Sequence, residues 1–327
     1  MSILDRLSRV FVRDGKPGPS TAAPPDPNAP TGEPADTRKP GPGDATLAAA
    51  PPPPVLAEPA FGLFRIRGTV RRRTALLLGL VPLGLLVLVW WLATLGDEPE
   101  SRLVSPVILP SPGEVVSSLP SLWFDRALMR SILTSLARVA GGFAAAAVVA
   151  LPLGIAMGSF TKVKAIFNPL SVMGSYLPIA AIVPLTLSWF GTGELQKTMF
   201  LAIASFVVLL PLVVKAIDAV EPVYLNTAYT LGANKRQTVT KVLLGIAWPD
   251  IFDAIRLTFG VGWTYIILAE IVDAERGLGS LIIVSQRRGP REHIYVVLVV
   301  IMVLAFLIDQ VFFRASRVLF AYRYGRR

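Results

Sequence analysis

Residues 218–256 read DAVEPVYLNTAYTLGANKRQTVTKVLLGIAWPDIFDAIR, and this stretch decides the fold. The sequence on both sides is apolar enough to belong in a bilayer, and here it is not. Helix-like stretches flank Gly232, Lys235, Arg236 and Lys241 supply positive charge, and Pro249-Asp250 reads as a restart before the next apolar run. A long amphipathic interruption carrying basic residues reads as a loop on the inner face of a membrane, where it can touch a soluble partner.

Composition supports a membrane setting. Of 327 residues, 53% are hydrophobic, more than an ordinary soluble domain carries. The net charge of +10 comes mostly from basic residues that flank apolar segments. That placement fits a topology signal and anionic lipid headgroups rather than a nucleic-acid footprint. The absence of cysteine excludes disulfides, thiolate metal sites and Cys nucleophiles. With His293 the single histidine, a His-based metal cluster or catalytic triad is not expected, and neither is any cofactor on this chain. No apolar core precedes residue 75, so the N-terminus does not read as a cleavable signal peptide.

Upstream of the organising stretch, residues 198–214 form an apolar span kinked by Pro211 and footed by Lys215. Residues 165–193 run without charge but contain Pro169, Pro178 and Pro184, so this span is expected to be kinked or locally broken. Interrupted helices of that kind often line a pathway. Residues 131–160 form another span, in which Gly154 and Gly158 permit close helix approach; packing within the chain is the expected use. A proline-divided external loop, 98–130, separates it from a first span at 74–96, long enough for a core of ~30 Å at ~1.5 Å per residue. Arg71, Arg72 and Arg73 against Asp97, Glu98 and Glu100 set the N-terminus inside. Residues 15–60 hold half of the chain's 28 prolines and bury too little apolar surface to order. Residues 1–15 read either as a short helix on the inner leaflet or as a frayed tail.

Downstream, residues 257–274 and 293–313 give a fifth and a sixth span, and Arg314, Arg317, Arg323, Arg326 and Arg327 hold the C-terminus inside. The expectation is an all-α membrane protein of six transmembrane helices, with both termini and the 218–256 loop cytoplasmic. Charges near the membrane are costly and often functional. Glu270, Asp273, Arg287 and Arg288 are candidates for an external gate or a docking surface; a boundary charge at headgroup level is the plainer account of Glu270. Asp309, within two turns of Arg314, reads as a structural pair or an interfacial position. Arg291 and His293, with Arg287 and Arg288, run against the positive-inside trend and could attract an anion, though a solvated or lipid-facing role fits them as well.

The organising stretch resembles the inner-membrane permease subunits of bacterial binding-protein-dependent ABC importers, type I. Their signature is a Glu-Ala-Ala segment, a Gly four residues on, nine residues, then an apolar residue and Leu-Pro. Here Asn226-Thr227-Ala228 is followed by Gly232, residues 233–241, and Val242-Leu243-Leu244-Gly245. Asn226 replaces the glutamate, Thr227 the first alanine and Gly245 the proline. LGANKRQTVTKVLL before AWPDIFDAIRLTFGVGWTYIILAEI, with ILPSPGEVVSSLPSLW and SLARVAGGFAAAAVVALPLGIAMG upstream, is similar to the nitrate/sulfonate/taurine/bicarbonate branch. The resemblance covers residues 103–316.

Composition and charge make residues 1–60 a disordered cytoplasmic segment, 61–130 a basic juxtamembrane segment with the first span and external loop, and 317–327 a basic tail. The resemblance makes 131–316 the permease core and implies the following. Asn226, Thr227, Ala228, Gly232, Lys235, Arg236, Lys241 and Leu244 belong to a coupling loop that docks on cytoplasmic ATPase subunits. Tyr229, Leu231, Val239 and Val242 could supply its apolar surface. Two copies form a pathway in the bacterial inner membrane, surrounded by lipid and fed a small anion by a binding protein. No GxxxxGK[ST] phosphate loop occurs, so ATP hydrolysis belongs to another polypeptide and this chain is not an enzyme. The alternative is an ion-coupled secondary transporter working alone, which would need a polar coupling site near mid-membrane; no such site or internal repeat is evident.

Overall fold

The computed structural model describes residues 70–96, 102–272, 275–288 and 290–324. Expectations for residues 1–60, for Asp97, Glu98, Glu100 and Asp273, and for Arg326 and Arg327 lie outside the described residues. Among the described residues the regular structure is helical, without strands.

The centre of the bundle is a pair of long helices, α4 (Leu128–Ser159) and α7 (Glu194–Asp218). The buried positions of α4 include Ile132, Ser135, Val139, Gly142, Ala146, Ala150, Gly154 and Met157, spaced three or four apart so that one face is continuous. The small residues on that face let the two backbones meet. A Cβ added at Gly142 would stand 2.5 Å from the Leu201 Cβ, one at Gly154 2.8 Å from Val213, and one at Gly158 2.7 Å from Ile217. The GxxxG at 154 and 158 therefore serves contact within the chain. In a bilayer, where burial of apolar groups gives no advantage over lipid, such close packing is what holds helices together.

Helix α9 runs from Lys235 to Val272, 38 residues, and packs on α7. Its path of ~57 Å at ~1.5 Å per residue exceeds the ~40–45 Å of a whole bilayer. Here the structure departs from expectation: the helix that carries the fifth span begins at Lys235, well before residue 257, and Pro249 does not restart a helix. A proline inside a helix removes one hydrogen bond. That loss is outweighed by the burial of Ala247, Pro249, Ile251 and Ala254 on the face that meets Leu209, Val213 and Ile217. A π-turn over Thr238–Leu243 lies just ahead of it.

Around this core lie α5 (Thr161–Ser175), a 3₁₀ turn at Ile179–Ile182 and α6 (Val183–Phe190). The two arms meet at 94°, so the proline-rich span is broken at Pro178, while Pro169 is accommodated inside α5 and Pro184 in the first turn of α6. At the other edge are α10 (Leu278–Arg288) and α11 (Glu292–Leu319). Helix α1 (Arg72–Ala93) is exposed along its length except near its end, where the Trp90 indole donates to the Pro110 carbonyl (2.9 Å) and stacks on Tyr295. Two short helices, α2 (Pro112–Ser117) and α3 (Leu119–Phe124), cap that end. Among the described residues, five helices are long and apolar enough to cross a membrane, six if the bent pair counts as one span.

Candidate functional site

Two constellations stand at opposite ends of α9. At its Lys235 end the chain leaves α7 and forms α8 (Pro222–Thr230), with Pro222 in the first turn, where its missing N–H costs nothing. The helix stops because Gly232 adopts φ +79°. The Ala233 N–H donates to the Ala228 carbonyl (2.9 Å) and the Gly232 N–H to that of Tyr229 (3.0 Å), the paired bonds of a Schellman stop. Two residues on, Asn234 starts α9 with a capping box: its side chain accepts from the Gln237 N–H and the Gln237 side chain accepts from the Asn234 N–H, both at 2.9 Å. The phrase LGANKRQ is thus a stop and a start written side by side.

This turn presents Asn226, Thr227, Lys235, Arg236 and Lys241 to the exterior, while Ala228 is buried and Leu244 partly so. Leu231 is 83% exposed, and Val223, Tyr224 and Tyr229 are about half exposed. Val239 instead packs against the α7–α9 core, so the apolar surface comes from α8 more than was expected. Between this turn and the α4–α5 junction lies a groove lined by Phe160, Lys162, Tyr229, Lys235 and Val239. Gly245 sits inside α9 with open space around it.

At the Val272 end, Glu270 is fully buried within the bundle. Its Oε1 accepts from the Arg138 guanidinium and from the Ser135 hydroxyl, each at 2.7 Å, and its Oε2 accepts from the Gly279 N–H at 2.8 Å. Arg138, 3% exposed, also donates through Nε to Glu194 Oε2 (2.6 Å), through Nη2 to Glu194 Oε1, and to the Arg276 carbonyl (2.8 Å). Ser135 accepts from the Leu278 N–H (3.0 Å). A buried carboxylate is tolerable only when paired and hydrogen-bonded in this way, and its place at the first turn of α10 adds the favourable field of a helix N-terminus.

Gly277 and Gly279 make that approach possible. Gly277 has φ +111°, and a Cβ there would fall 2.3–2.5 Å from the Glu270 carboxyl atoms; one at Gly279 would stand 2.7 Å from the Glu270 Cβ. The GLG turn is therefore moulded on Glu270. Arg287 and Arg288 lie on the exposed last turn of α10, at its far end from this cluster. His293 is buried, with Nε2 2.9 Å from the Ser121 hydroxyl, so it does not face outward as a free cation. Asp309 is paired, but across helices: Arg256 grips it with two bonds of 2.5 and 2.6 Å, and Arg314 is not the partner. Sequence reasoning missed Arg138, Ser135 and Glu194. The available signal was Arg138 itself, an arginine in an otherwise apolar span.

Residues 150–321 match the family described as the binding-protein-dependent transport system inner membrane component. The chain belongs to this family. Among relatives of this permease, the taurine transport system permease protein TauC of Escherichia coli (strain K12) is 31% identical over 249 residues, 74% of this chain and 88% of TauC. The nitrate import permease protein NrtB of Synechocystis is 26% identical over 242 residues, 70% of this chain and 84% of NrtB. An inward-facing structure of the MetNI methionine ABC transporter superposes with a TM-score of 0.54 at 21% identity, covering 61% of this permease and 97% of the MetNI chain. The fold is that of a type I ABC importer permease, and the family is one of transport permeases, not enzymes.

Proposed function

We propose that this permease is the membrane-spanning subunit of an ATP-driven importer for a small anion of the sulfonate or nitrate type. ATPase subunits dock on the α8–α9 turn from the cytoplasm, a binding protein delivers the solute on the other side, and two copies enclose the route in the bacterial inner membrane. Both termini are cytoplasmic in this reading. The observation that carries it is the rigid, doubly capped turn at the projecting end of α9. A Schellman stop and a capping box fix its shape, Tyr224, Tyr229 and Leu231 give an apolar face, and Lys235, Arg236 and Lys241 give a basic rim. Asn226, where the family carries glutamate, contributes hydrogen bonding without charge, beside Thr227, Ala228, Gly232 and Leu244. The sulfonate and nitrate reading is supported by the names of TauC and NrtB.

The test is uptake of taurine and of nitrate into proteoliposomes holding the permease, its ATPase and its binding protein. Uptake should require ATP and all three components, and Gly232→Val should abolish both ATPase association and uptake. Uptake without the ATPase, driven by an ion gradient, would establish a secondary transporter instead.

A further inference from the structure

One face of α5 carries a polar stripe. Lys164, Asn168, Ser171 and Ser175 recur at intervals of four, three and four residues, which stacks them along a single side of the helix. Off this stripe, Ile166, Leu170 and Met173 are apolar and 69–71% exposed. Polar side chains within an otherwise apolar span are expensive, and they are retained where they line a wet passage or meet one another. All four line a groove of about 220 Å³ between α5 and α7, together with Lys215 and Asp218.

The charges in this groove do not cancel. Lys164 donates to Asp218 at 2.5 Å, joining the two helices at one end. Lys215, one turn before Asp218, is exposed and has no ion-pair partner among the described residues. Ser175 spends its proton on the Ser171 carbonyl (3.0 Å). The donors left for a ligand are the Lys215 ammonium, the Asn168 amide and the Ser171 hydroxyl, a set that suits the oxygens of a small oxyanion. The stripe ends at Ser175, where the broken span turns through 94°.

We propose that the α5–α7 groove is a transit subsite for a small oxyanion, with Lys215 supplying the charge and Asn168 and Ser171 the hydrogen bonds. This rests on the anion reading given above and adds to it a place within the chain. The cysteine-free sequence permits a direct test. Ser171→Cys, nearly isosteric, is made in the full-length permease assembled with its ATPase in lipid nanodiscs, so that both faces are accessible. Its rates of modification by 2-sulfonatoethyl methanethiosulfonate and by the trimethylammonium analogue are read by mass spectrometry, each relative to 2-mercaptoethanol. The sulfonate reagent should be favoured by about tenfold, the size expected for one unpaired charge acting across several ångströms of a partly hydrated groove. Lys215→Gln should remove that preference and Lys215→Arg should keep it, with all variants monodisperse. Failure of the Ser171→Cys variant to react with either reagent, or a ratio unmoved by Lys215→Gln, overturns the proposal. Neither rate depends on ATP or on the transported solute, so a failed uptake assay and a failed groove are separate results.

Discussion

Replacing Arg138 by methionine tests whether the buried cluster holds the Val272 end of α9 in place. The change keeps an unbranched side chain of similar length but withdraws the guanidinium from Glu270, which is fully buried. Glu270 would retain only the Ser135 hydroxyl and the Gly279 N–H. Leaving one member of a buried pair without its counter-charge costs ~3–5 kcal/mol. At ~2–4 °C per kcal/mol for a chain of a few hundred residues, the apparent melting midpoint should fall by ~6–20 °C. Glu270→Gln is milder, because Arg138 keeps Glu194 and the Arg276 carbonyl. The double variant Arg138→Met/Glu270→Gln should recover ~1–3 kcal/mol relative to the sum of the single changes. The assay is tryptophan-fluorescence or light-scattering melting in one detergent at one scan rate, since membrane proteins unfold irreversibly and only matched scans compare. If Arg138→Met melts within a degree or two of Arg287→Met, an exposed change on α10, the cluster does not anchor α9.

Gly154→Leu forces a side chain into the Val213 contact at 2.8 Å and should destabilise the permease by ~1–3 kcal/mol, whereas Gly245→Ala, in open space within α9, should stabilise it by ~0.5–1 kcal/mol; the same melting assay reads both, and the opposite ranking would refute the assigned packing. Glu114 offers a pH test outside the spanning helices. The Arg102 guanidinium, helped by the Ser111 N–H, holds its carboxyl below the ordinary value of 4.5. A carboxyl depressed in the folded state contributes stability that is complete above that value and is lost as pH falls through the folded one. Hydrogen exchange over Pro112–Ser117, corrected for intrinsic rates, should therefore accelerate only below about pH 4.5, with Arg102→Gln raising the onset. The effect is small because the Glu114 side chain is 41% exposed, and an unshifted onset in Arg102→Gln would remove that pair as its cause.

Much of the fold was legible because hydropathy and proline are local signals. The spans ending near Ala93 and Ser159, the break after Ser175 and the turn at Gly232 all follow from residues close together in sequence. The continuity of α9 was not legible. Pro249 reads as a boundary, and only the packing of Ala247, Ile251 and Ala254 on α7 overrides it. Glu270 was visible as a charge near a span end, but its environment was not, because Arg138 lies 132 residues away and the GLG turn closes over the carboxyl only in three dimensions. The partner of Asp309 was not legible for the same reason: Arg314 is near in sequence, whereas Arg256 is near in space.

These features divide the permease into parts of unequal firmness. Helices α4, α7 and α9 are joined by backbone approaches at three glycines, by two apolar clusters and by the Arg138–Glu270 pair, so both ends of α9 belong to one stiff body. Helix α5 has no buried residue among those described and is tied to α7 at one end by the Lys164–Asp218 pair. Segments with few buried contacts and weak ties open at the lowest free energy. The polar stripe sits on that loosely held helix, facing the firm one. On the proposal above, the groove would widen by a shift of α5 against α7 that leaves the buried Arg138–Glu270 pair untouched. The break at 176–178 would act as the hinge, since the chain there is already outside both helices and α5 can shift without bending α6.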